Sequence, residues 1–416
     1  MMGLSLAVMA VHGAHKKKKG CHKAYTFQEK FDNAAGMKKN KFQTGKVALV
    51  SFSHFIHDVY TSFLAPLLPL IIEKLSLTLG QAGLLSTVMQ IPALLNPFIG
   101  LFVDSKGLAR WLVILAPTIT AIPMSFIGLA SSYWVLLVLL FVAGVSVALY
   151  HVPAPVMVAQ LSGDRKGRGM SMFMTGGELS RTLGPMIAVG LVSILGLEGL
   201  YPVFIVAVMT SVFLYFSLEK SEKKEKLREN GSLKASFNEI RHVMMPLSGI
   251  IAARACMHAS MGIFLPVYVA SKTGSLWYGG AALTLYEAFG VAGVISAGTL
   301  SDWMGRQRVL FWALVTAPAA IFGFIMTTGI FQILMLVVTG FTVLSTTPVM
   351  LAIIQDHATE NPASANGLFM MVSFAFRAIA VTVVGVIGDF AGLEMMFIIS
   401  VLAGTLAVPF LLKLKD

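Results

Sequence analysis

Apolar segments of about 20 residues, the length of a helix that crosses the roughly 30 Å core of a bilayer, recur from residue 46 to the C-terminus. Short stretches rich in charged or turn-forming residues separate them. The pattern predicts an all-α membrane protein with twelve transmembrane helices. We number these helices as spans 1 to 12: 47–72, 79–103, 111–129, 133–158, 169–195, 200–218, 243–270, 278–300, 309–328, 331–355, 365–388 and 394–412.

The longest charged stretch between two spans runs from Glu219 to Arg241 and leaves six spans on either side. We therefore expect an N-terminal tail at 1–45, a six-helix half at 46–218, a central loop at 219–242 and a second six-helix half at 243–416. The tail is polar and rich in lysine, and we expect it to be disordered. Met37 would be a natural start, so it is open at this point whether residues 1–36 belong to the native protein.

Composition and charge support the membrane assignment. Hydrophobic residues make up 56% of the chain and charged residues 12%, against about 25% charged residues in an ordinary soluble domain. The net charge of +11 does not indicate nucleic-acid binding, because Lys and Arg are concentrated in the tail and in alternate loops. The tail side has 26 of them and the opposite side only Lys74 and Lys272. The positive-inside rule then predicts cytoplasmic termini and a cytoplasmic central loop. We expect the membrane to be a bacterial-type inner membrane.

The two predicted halves repeat each other. Similar loops follow spans 2 and 8, at positions 198 residues apart: Gly100-x-x-x-Asp104-x-x-Gly107 and Gly298-x-x-x-Asp302-x-x-Gly305-Arg306. Arg181 in span 5 is likewise 196 residues from Arg377 in span 11. Many transporters build a central binding site between two such repeats.

These loops resemble the signature of the major facilitator superfamily, which lies between helices 2 and 3 and again between helices 8 and 9. The resemblance covers residues 46 to 414 and implies two pseudo-symmetric six-helix halves, a transport function and no enzymatic activity. It also implies that the residues of the two loops take part in the conformational switch. The first copy departs from the family pattern, since Ser105 stands where a basic residue is common.

Further motifs resemble the fosmidomycin-resistance branch of drug efflux carriers. They are His54-x-x-x-Asp58-x-Tyr60 in span 1, Tyr150-His151-x-Pro153 in span 4, and Ser171-Met172-Phe173-Met174-x-Gly176-Gly177 with Gly184-Pro185 in span 5. The resemblance implies export of small drugs in exchange for protons. Glu178 and Arg181 add two charges where a mostly apolar segment is expected, so the substrate stays open.

Ten ionisable residues fall inside the ends of the predicted spans: His54, His57, Asp58, His151, Glu178, Arg181, Arg254, His258, Glu287 and Arg377. They lie on spans 1, 4, 5, 7, 8 and 11. Spans 3, 6, 9 and 12, which are the peripheral helices of the superfamily, have none apart from Glu394 at the first position of span 12. A charge at mid-bilayer costs about 2.5–3.5 kcal/mol, and such residues usually face the interior of the bundle. We expect them to face a central cavity.

A proton-coupling role is predicted for three of these residues. His54 and Asp58 are four positions apart and share a helix face, where a carboxylate beside an imidazole can hold or release a proton near neutral pH. The alternative is a packing pair that fixes span 1 against span 5 or 7. Glu178 is the second coupling candidate, although it can also form a structural ion pair with Arg181 three positions later.

Substrate binding is predicted for a second group: Arg181, Arg377, His151, Arg254, Glu287 and Tyr60. An arginine fork suits carboxylate or phosphate oxygens, so an unpaired arginine could hold an anionic group of the substrate. The alternative is that all three arginines pair with Asp58, Glu178 and Glu287. His151 is either a proton acceptor or a hydrogen-bonded core histidine, and Tyr60 is a candidate as an aromatic residue of the cavity wall.

The leading hypothesis is a proton-coupled antiporter that exports a small drug-like or anionic compound by alternating access. An organic-anion importer or exchanger without protons is the second hypothesis, and an intramembrane enzyme is a remote third. The expected partners are the small-molecule substrate, protons and the lipid bilayer, for a monomeric protein. Cys21 and Cys256 lie in the tail and in a span, so we expect neither a disulfide framework nor a zinc site. We also expect neither a cofactor nor a metal.

Overall fold

Every regular element in the described part of the chain is a helix. The computed structural model describes residues 42–96, 98–99, 108–219, 233–358 and 362–414. The predicted disordered tail up to residue 41, most of the central loop and the first signature loop, with Gly100, Asp104 and Gly107, lie outside these ranges. Within them the all-α membrane fold predicted from the sequence is confirmed.

Ten segments are long and apolar enough to cross a membrane: Thr44–Leu75, Ala109–Leu129, Tyr133–Leu161, Arg168–Leu195, Glu198–Ser217, Phe237–Thr273, Leu276–Met304, Arg306–Met326, Gly329–His357 and Ala365–Leu411. The last segment contains spans 11 and 12, because its helix is broken at Gly392, which adopts a φ of +81°. Span 2 corresponds to the shorter apolar helix Leu79–Leu95. Within the described residues these segments account for all twelve predicted spans.

Three spans are interrupted close to an ionisable residue. Span 1 is divided into Thr44–Thr61 and Leu64–Leu75, just after Asp58. Span 4 is divided into Tyr133–His151 and Pro153–Leu161, because Pro153 cannot donate a helical hydrogen bond. In span 7 a π-helical turn at Ser260–Phe264 follows His258. Interruptions of this kind are common at functional sites, and here they lie beside the charged residues of the interior.

The first six and the last six spans pack tightly on each other at one end of the bundle. We call it the loop end, because it carries the short connections 76–78, 196–197 and 274–275. There span 2 packs on span 11 and span 5 packs on span 8. The Asp389 carboxylate accepts hydrogen bonds from the backbone N–H groups of Leu79 (2.5 Å) and Gly80 (2.8 Å). A Cβ on Gly83 would lie 2.6 Å from the Val381 carbonyl oxygen, so this contact requires glycine.

The two halves separate toward the opposite end, which we call the terminal end because the described chain starts and finishes there. Helix Thr44–Thr61 packs mainly on other spans of the first half, and helix Leu233–Ala259 packs mainly on spans of the second half. A crevice of about 210 Å³ lies between spans 2 and 11 and is lined by Ala93, Asn96, Gly367, Met370 and Met371. The bundle is therefore closed at the loop end and open toward the terminal end.

Candidate functional site

Three histidines surround the Asp58 carboxylate inside the first half. His54 Nε2 lies 3.2 Å from Asp58 Oδ2, and His151 Nε2 lies 3.5 Å from the same oxygen. His57 Nδ1 lies 2.7 Å from the other oxygen, Oδ1. We call these four residues the His–Asp cluster. The contact between His54 and Asp58 was predicted from their spacing of four residues in a helix. The structure also contains contacts of Asp58 with His151 from span 4 and with His57 from the same helix.

Backbone carbonyls fix the orientation of two of these rings. His54 Nδ1 lies 2.8 Å from the Phe173 carbonyl oxygen, and His151 Nδ1 lies 3.0 Å from the Val147 carbonyl oxygen. A carbonyl can only accept, so each Nδ1 carries the hydrogen and donates it. In the neutral rings the Nε2 atoms are then bare lone pairs. Both of them point at Asp58 Oδ2, and the two Nε2 atoms are 3.4 Å apart.

The sequence places His57 among the intramembrane residues but indicates no role for it. Its ring is fully buried and stacks on Tyr150, with ring centroids 4.4 Å apart. Its Nε2 atom lies 3.0 Å from Thr120 Oγ1, and Thr120 donates to Ser146 Oγ over 2.8 Å. His57 therefore connects the Asp58 carboxylate to a chain of hydroxyl groups on spans 3 and 4.

Glycines allow span 5 to approach the His–Asp cluster. A Cβ on Gly177 would lie 2.6 Å from the His54 ring, and a Cβ on Gly176 would lie 2.3 Å from the Ser51 carbonyl oxygen. Because these side chains are missing, Phe173 can stack on the His54 ring with centroids 4.0 Å apart. The Gly176-Gly177 pair is therefore explained by helix packing.

Glu178 and Arg181 form the ion pair that their spacing predicts. The Arg181 side chain is 43% exposed and the Glu178 side chain 20%, so the pair borders the open space between the halves. Arg181 also lies within electrostatic reach of Asp58 in the first half and of Glu287 in the second. The pair thus lies between the His–Asp cluster and Glu287 of span 8.

The other two arginines have no ion-pair partner among the described residues. Arg254 is 7% exposed, and its guanidinium makes one long hydrogen bond, from Nη2 to the Val343 carbonyl oxygen at 3.4 Å. Within the part of the chain that the structure describes, the Nε atoms of Arg254 and Arg377 have no hydrogen-bond partner, and neither does Glu287 Oε2. Arg377 lies within reach of both the Glu287 carboxylate and the Arg254 charge. We call Arg254, Glu287 and Arg377 the arginine site.

The remaining candidates lie away from these two clusters. Tyr60 is buried, and its hydroxyl donates to the Val203 carbonyl oxygen over 2.6 Å. Tyr60 therefore packs between spans 1 and 6, and its hydroxyl hydrogen is already donated to a backbone carbonyl. In the second signature loop Gly298 has open space around it and Gly305 adopts a φ of +95°. Arg306 in that loop pairs with Asp302 (2.5 Å) and Asp356 (3.2 Å) and ties spans 8 and 9 to span 10.

Comparisons with known proteins point to one family. The sequence profile of the Major Facilitator Superfamily matches residues 50–381. The fosmidomycin resistance protein of Escherichia coli (strain K12) is 24% identical over 377 residues, which are 88% of this chain and 91% of that protein. The multidrug resistance protein MdtG of Serratia proteamaculans is 27% identical over 280 residues, covering 63% of this chain and 67% of the relative.

Solved structures agree in fold. The nucleoside transporter NupG superposes with a TM-score of 0.71 at 15% identity, over 89% of this chain and 99% of that one. A bacterial homologue of the human lysosomal transporter Spinster, in an inward-facing and unoccupied conformation, gives a TM-score of 0.74 at 14% identity. That match covers 90% of this chain and 97% of the other chain.

Proposed function

Since the chain belongs to the Major Facilitator Superfamily, and is thus a membrane transporter and not an enzyme, we propose that it exports a small organic anion in exchange for protons. The arginine site binds the anionic group of the substrate, and the His–Asp cluster carries the coupling proton. Glu178 and Arg181 lie between the two, so a change of charge in the His–Asp cluster alters the electrostatic potential at the arginine site through them. Protonation of the cluster favours one of the two states of an alternating-access cycle.

The observation that carries this proposal is the unpaired charge of the arginine site. Burying a guanidinium without a carboxylate partner is costly, and protein interiors normally avoid it. Glu178 is already paired with Arg181, so in the described residues Glu287 is the one carboxylate left near Arg377. An anion that enters between Arg254 and Arg377 would supply the missing partner and the missing hydrogen-bond acceptors.

The His–Asp cluster supports the choice of protons as the coupling ion. Three lone pairs, from His54, His151 and Asp58, meet within 3.5 Å with no hydrogen between them when both rings are neutral. A proton bound between these atoms replaces the repulsion of their lone pairs with hydrogen bonds. His151 is also 35% exposed in its side chain, so the cluster has a route to water in the open space.

The predicted topology supports export. If both termini are cytoplasmic in a bacterial-type inner membrane, as the 26-to-2 distribution of Lys and Arg predicts, the open terminal end faces the cytoplasm. A substrate from the cytoplasm would then reach the arginine site in the state described here. One chain provides all residues of both clusters, which fits a monomer.

Purified protein in liposomes with an internal pH dye tests the proposal. An imposed proton gradient should drive accumulation of particular anions from a panel of carboxylates, phosphonates and neutral analogues of similar size. Each accumulated anion should be accompanied by a proton movement in the opposite direction. Transport of neutral analogues alone would contradict the role of the arginine site.

An importer or exchanger of organic anions without protons is the second candidate. The arginine site favours it as much as it favours the first, because its geometry does not depend on the His–Asp cluster. In the same liposomes this protein would exchange anions across the membrane with no change in the dye signal and no response to the gradient.

A further inference from the structure

The three lone pairs of the His–Asp cluster have the arrangement of a metal site. The distances between His54 Nε2, His151 Nε2 and Asp58 Oδ2 are 3.2, 3.4 and 3.5 Å. Zinc binds histidine nitrogen and carboxylate oxygen at about 2.0–2.2 Å in a tetrahedron, which puts neighbouring ligand atoms about 3.3–3.5 Å apart. The three edges fall close to this range.

We propose that His54, His151 and Asp58 bind one divalent transition-metal ion, with Zn²⁺ as the best fit. The inference goes beyond the transport proposal, since it depends on the ligand geometry and holds for any substrate. The ion would occupy the lone pairs that the coupling proton uses, so the metal and the proton would compete for the cluster. The sequence indicated no metal, because its two cysteines cannot form a zinc framework. His54 and His151 are 97 positions apart on different spans, so no sequence spacing indicated that they share a site.

The groups around the three ligands are those that metal ligands require. Each ligating histidine donates its other ring N–H to a backbone carbonyl, Phe173 for His54 and Val147 for His151. The second oxygen of Asp58 accepts from His57 over 2.7 Å. Such outer hydrogen bonds fix the rings and the carboxylate in the orientation that metal binding needs. The site therefore needs no rearrangement of these three side chains.

One position of the tetrahedron is free. The Asp58 and His151 side chains are 13% and 35% exposed, whereas His54 is 5% exposed, so the open side lies next to His151. A water molecule or an anionic group could complete the coordination there, as in zinc sites with three protein ligands. Two imidazoles and one carboxylate suit zinc or another late first-row ion better than Mg²⁺ or Ca²⁺, which prefer oxygen ligands.

The charges that face the site do not exclude a cation. On span 1 the neighbouring His57 is occupied by Asp58 and Thr120. Arg181 on span 5 is the one positive side chain within electrostatic reach of both Asp58 and His151 in the described residues. Its charge opposes metal binding, but Glu178 pairs with it and offsets that charge.

Cobalt is the probe, because Co²⁺ occupies zinc sites and its visible absorption reports four-coordinate geometry. The full-length protein is purified in detergent with a tag that contains no histidine, stripped with a chelator and titrated with Co²⁺. We expect one equivalent to bind with a strong visible band, and Zn²⁺ to displace it. Absence of that band at one equivalent would overturn the inference.

Variants connect the signal to the site. His151→Gln and Asp58→Asn should each weaken Co²⁺ binding by more than the roughly 10–100-fold that loss of an outer hydrogen-bond partner causes. His242→Gln is the matched control: it removes an exposed histidine that contacts His357 far from the cluster, and it should leave binding unchanged. Thermal unfolding of the stripped variants identifies any that fail to fold. If folded His151→Gln and Asp58→Asn bind Co²⁺ as the wild type does, the metal is held elsewhere and the inference is wrong.

The metal and transport proposals can fail separately. Metal binding is measured in detergent without substrate or gradient, and proton-driven accumulation is measured in liposomes after chelation. A protein that couples transport to protons but binds no Co²⁺ would overturn only the metal site.

Discussion

Replacement of Arg254 distinguishes a role in substrate binding from a role in packing, because the two roles predict opposite effects on the free energy of unfolding. Arg254 is buried, lacks an ion-pair partner among the described residues and has a guanidinium with an unpartnered Nε. Arg254→Met keeps an unbranched side chain of similar length and removes the charge. In the absence of substrate the variant should therefore be more stable than the wild type. Relief of an unsatisfied buried group should raise the free energy of unfolding by about 1–3 kcal/mol.

Binding should change in the other direction. Loss of one charged hydrogen bond costs about 1.5–3 kcal/mol, which weakens the affinity for an anion by roughly 10- to 150-fold. Affinity for a neutral analogue should hardly change. The assay is thermal unfolding of the detergent-solubilised protein, with and without increasing concentrations of each ligand.

Arg110 is the matched control. It donates from Nε to the Leu218 carbonyl oxygen (2.8 Å) and from Nη2 to the Tyr215 carbonyl oxygen (3.0 Å), away from both clusters. Arg110→Met should lower the unfolding temperature and leave anion binding unchanged. If Arg254→Met is instead the destabilised variant and binds anions normally, Arg254 has a packing role and the arginine site is misassigned.

Other predictions concern binding, gating and topology. Arg377→Gln should weaken binding of an anionic substrate by about 1.5–3 kcal/mol and spare neutral compounds, as measured by the same thermal shifts. Asp389→Ala removes the acceptor of two backbone hydrogen bonds between the halves at the loop end. Because Asp389 is exposed, its loss should destabilise the closed loop end by about 1 kcal/mol, and the population of the state open at the loop end should rise about fivefold. Spin labels at Ser131 and Thr328 should then show longer distances. An unchanged distance distribution would refute this prediction. Reporters fused after Gly231 and at the C-terminus should both report cytoplasm, and one found outside would refute the topology.

The sequence predicted most of the fold because the bilayer imposes it. Apolar segments of this length had to be helices, because a helix satisfies its own backbone hydrogen bonds in the bilayer. The His54–Asp58 and Glu178–Arg181 contacts follow from spacings of four and three residues in a helix, and the structure contains both.

Contacts between distant spans could not be predicted in this way. His151 meets Asp58 through tertiary packing of span 4 on span 1, and Asp389 meets Leu79 across 310 positions of the chain. Adjacent residues on a helix do not normally face each other, so the His57–Asp58 contact has no spacing signal.

The number of charged residues does not determine which of them form ion pairs. Three arginines and three carboxylates could have formed three pairs, and the sequence left that open. In the described residues the structure pairs only Arg181 with Glu178, whereas Asp58 is surrounded by histidines. Which arginines are left without a partner is a property of the packing.

The Asp58→Asn variant tests the central claim, that the His–Asp cluster carries the coupling proton. An asparagine keeps the shape of the side chain and can donate to the His54 and His151 lone pairs, but it cannot change charge. The matched control is Glu394→Gln, which removes an exposed carboxylate 3.1 Å from Lys272 at the loop end and should transport normally.

The decisive measurement compares gradient-driven accumulation with counterflow in the same liposomes. Asp58→Asn should lose accumulation driven by a proton gradient and retain exchange of labelled for unlabelled substrate. Full proton-driven accumulation by Asp58→Asn would contradict this prediction and would make the cluster a packing element of span 1.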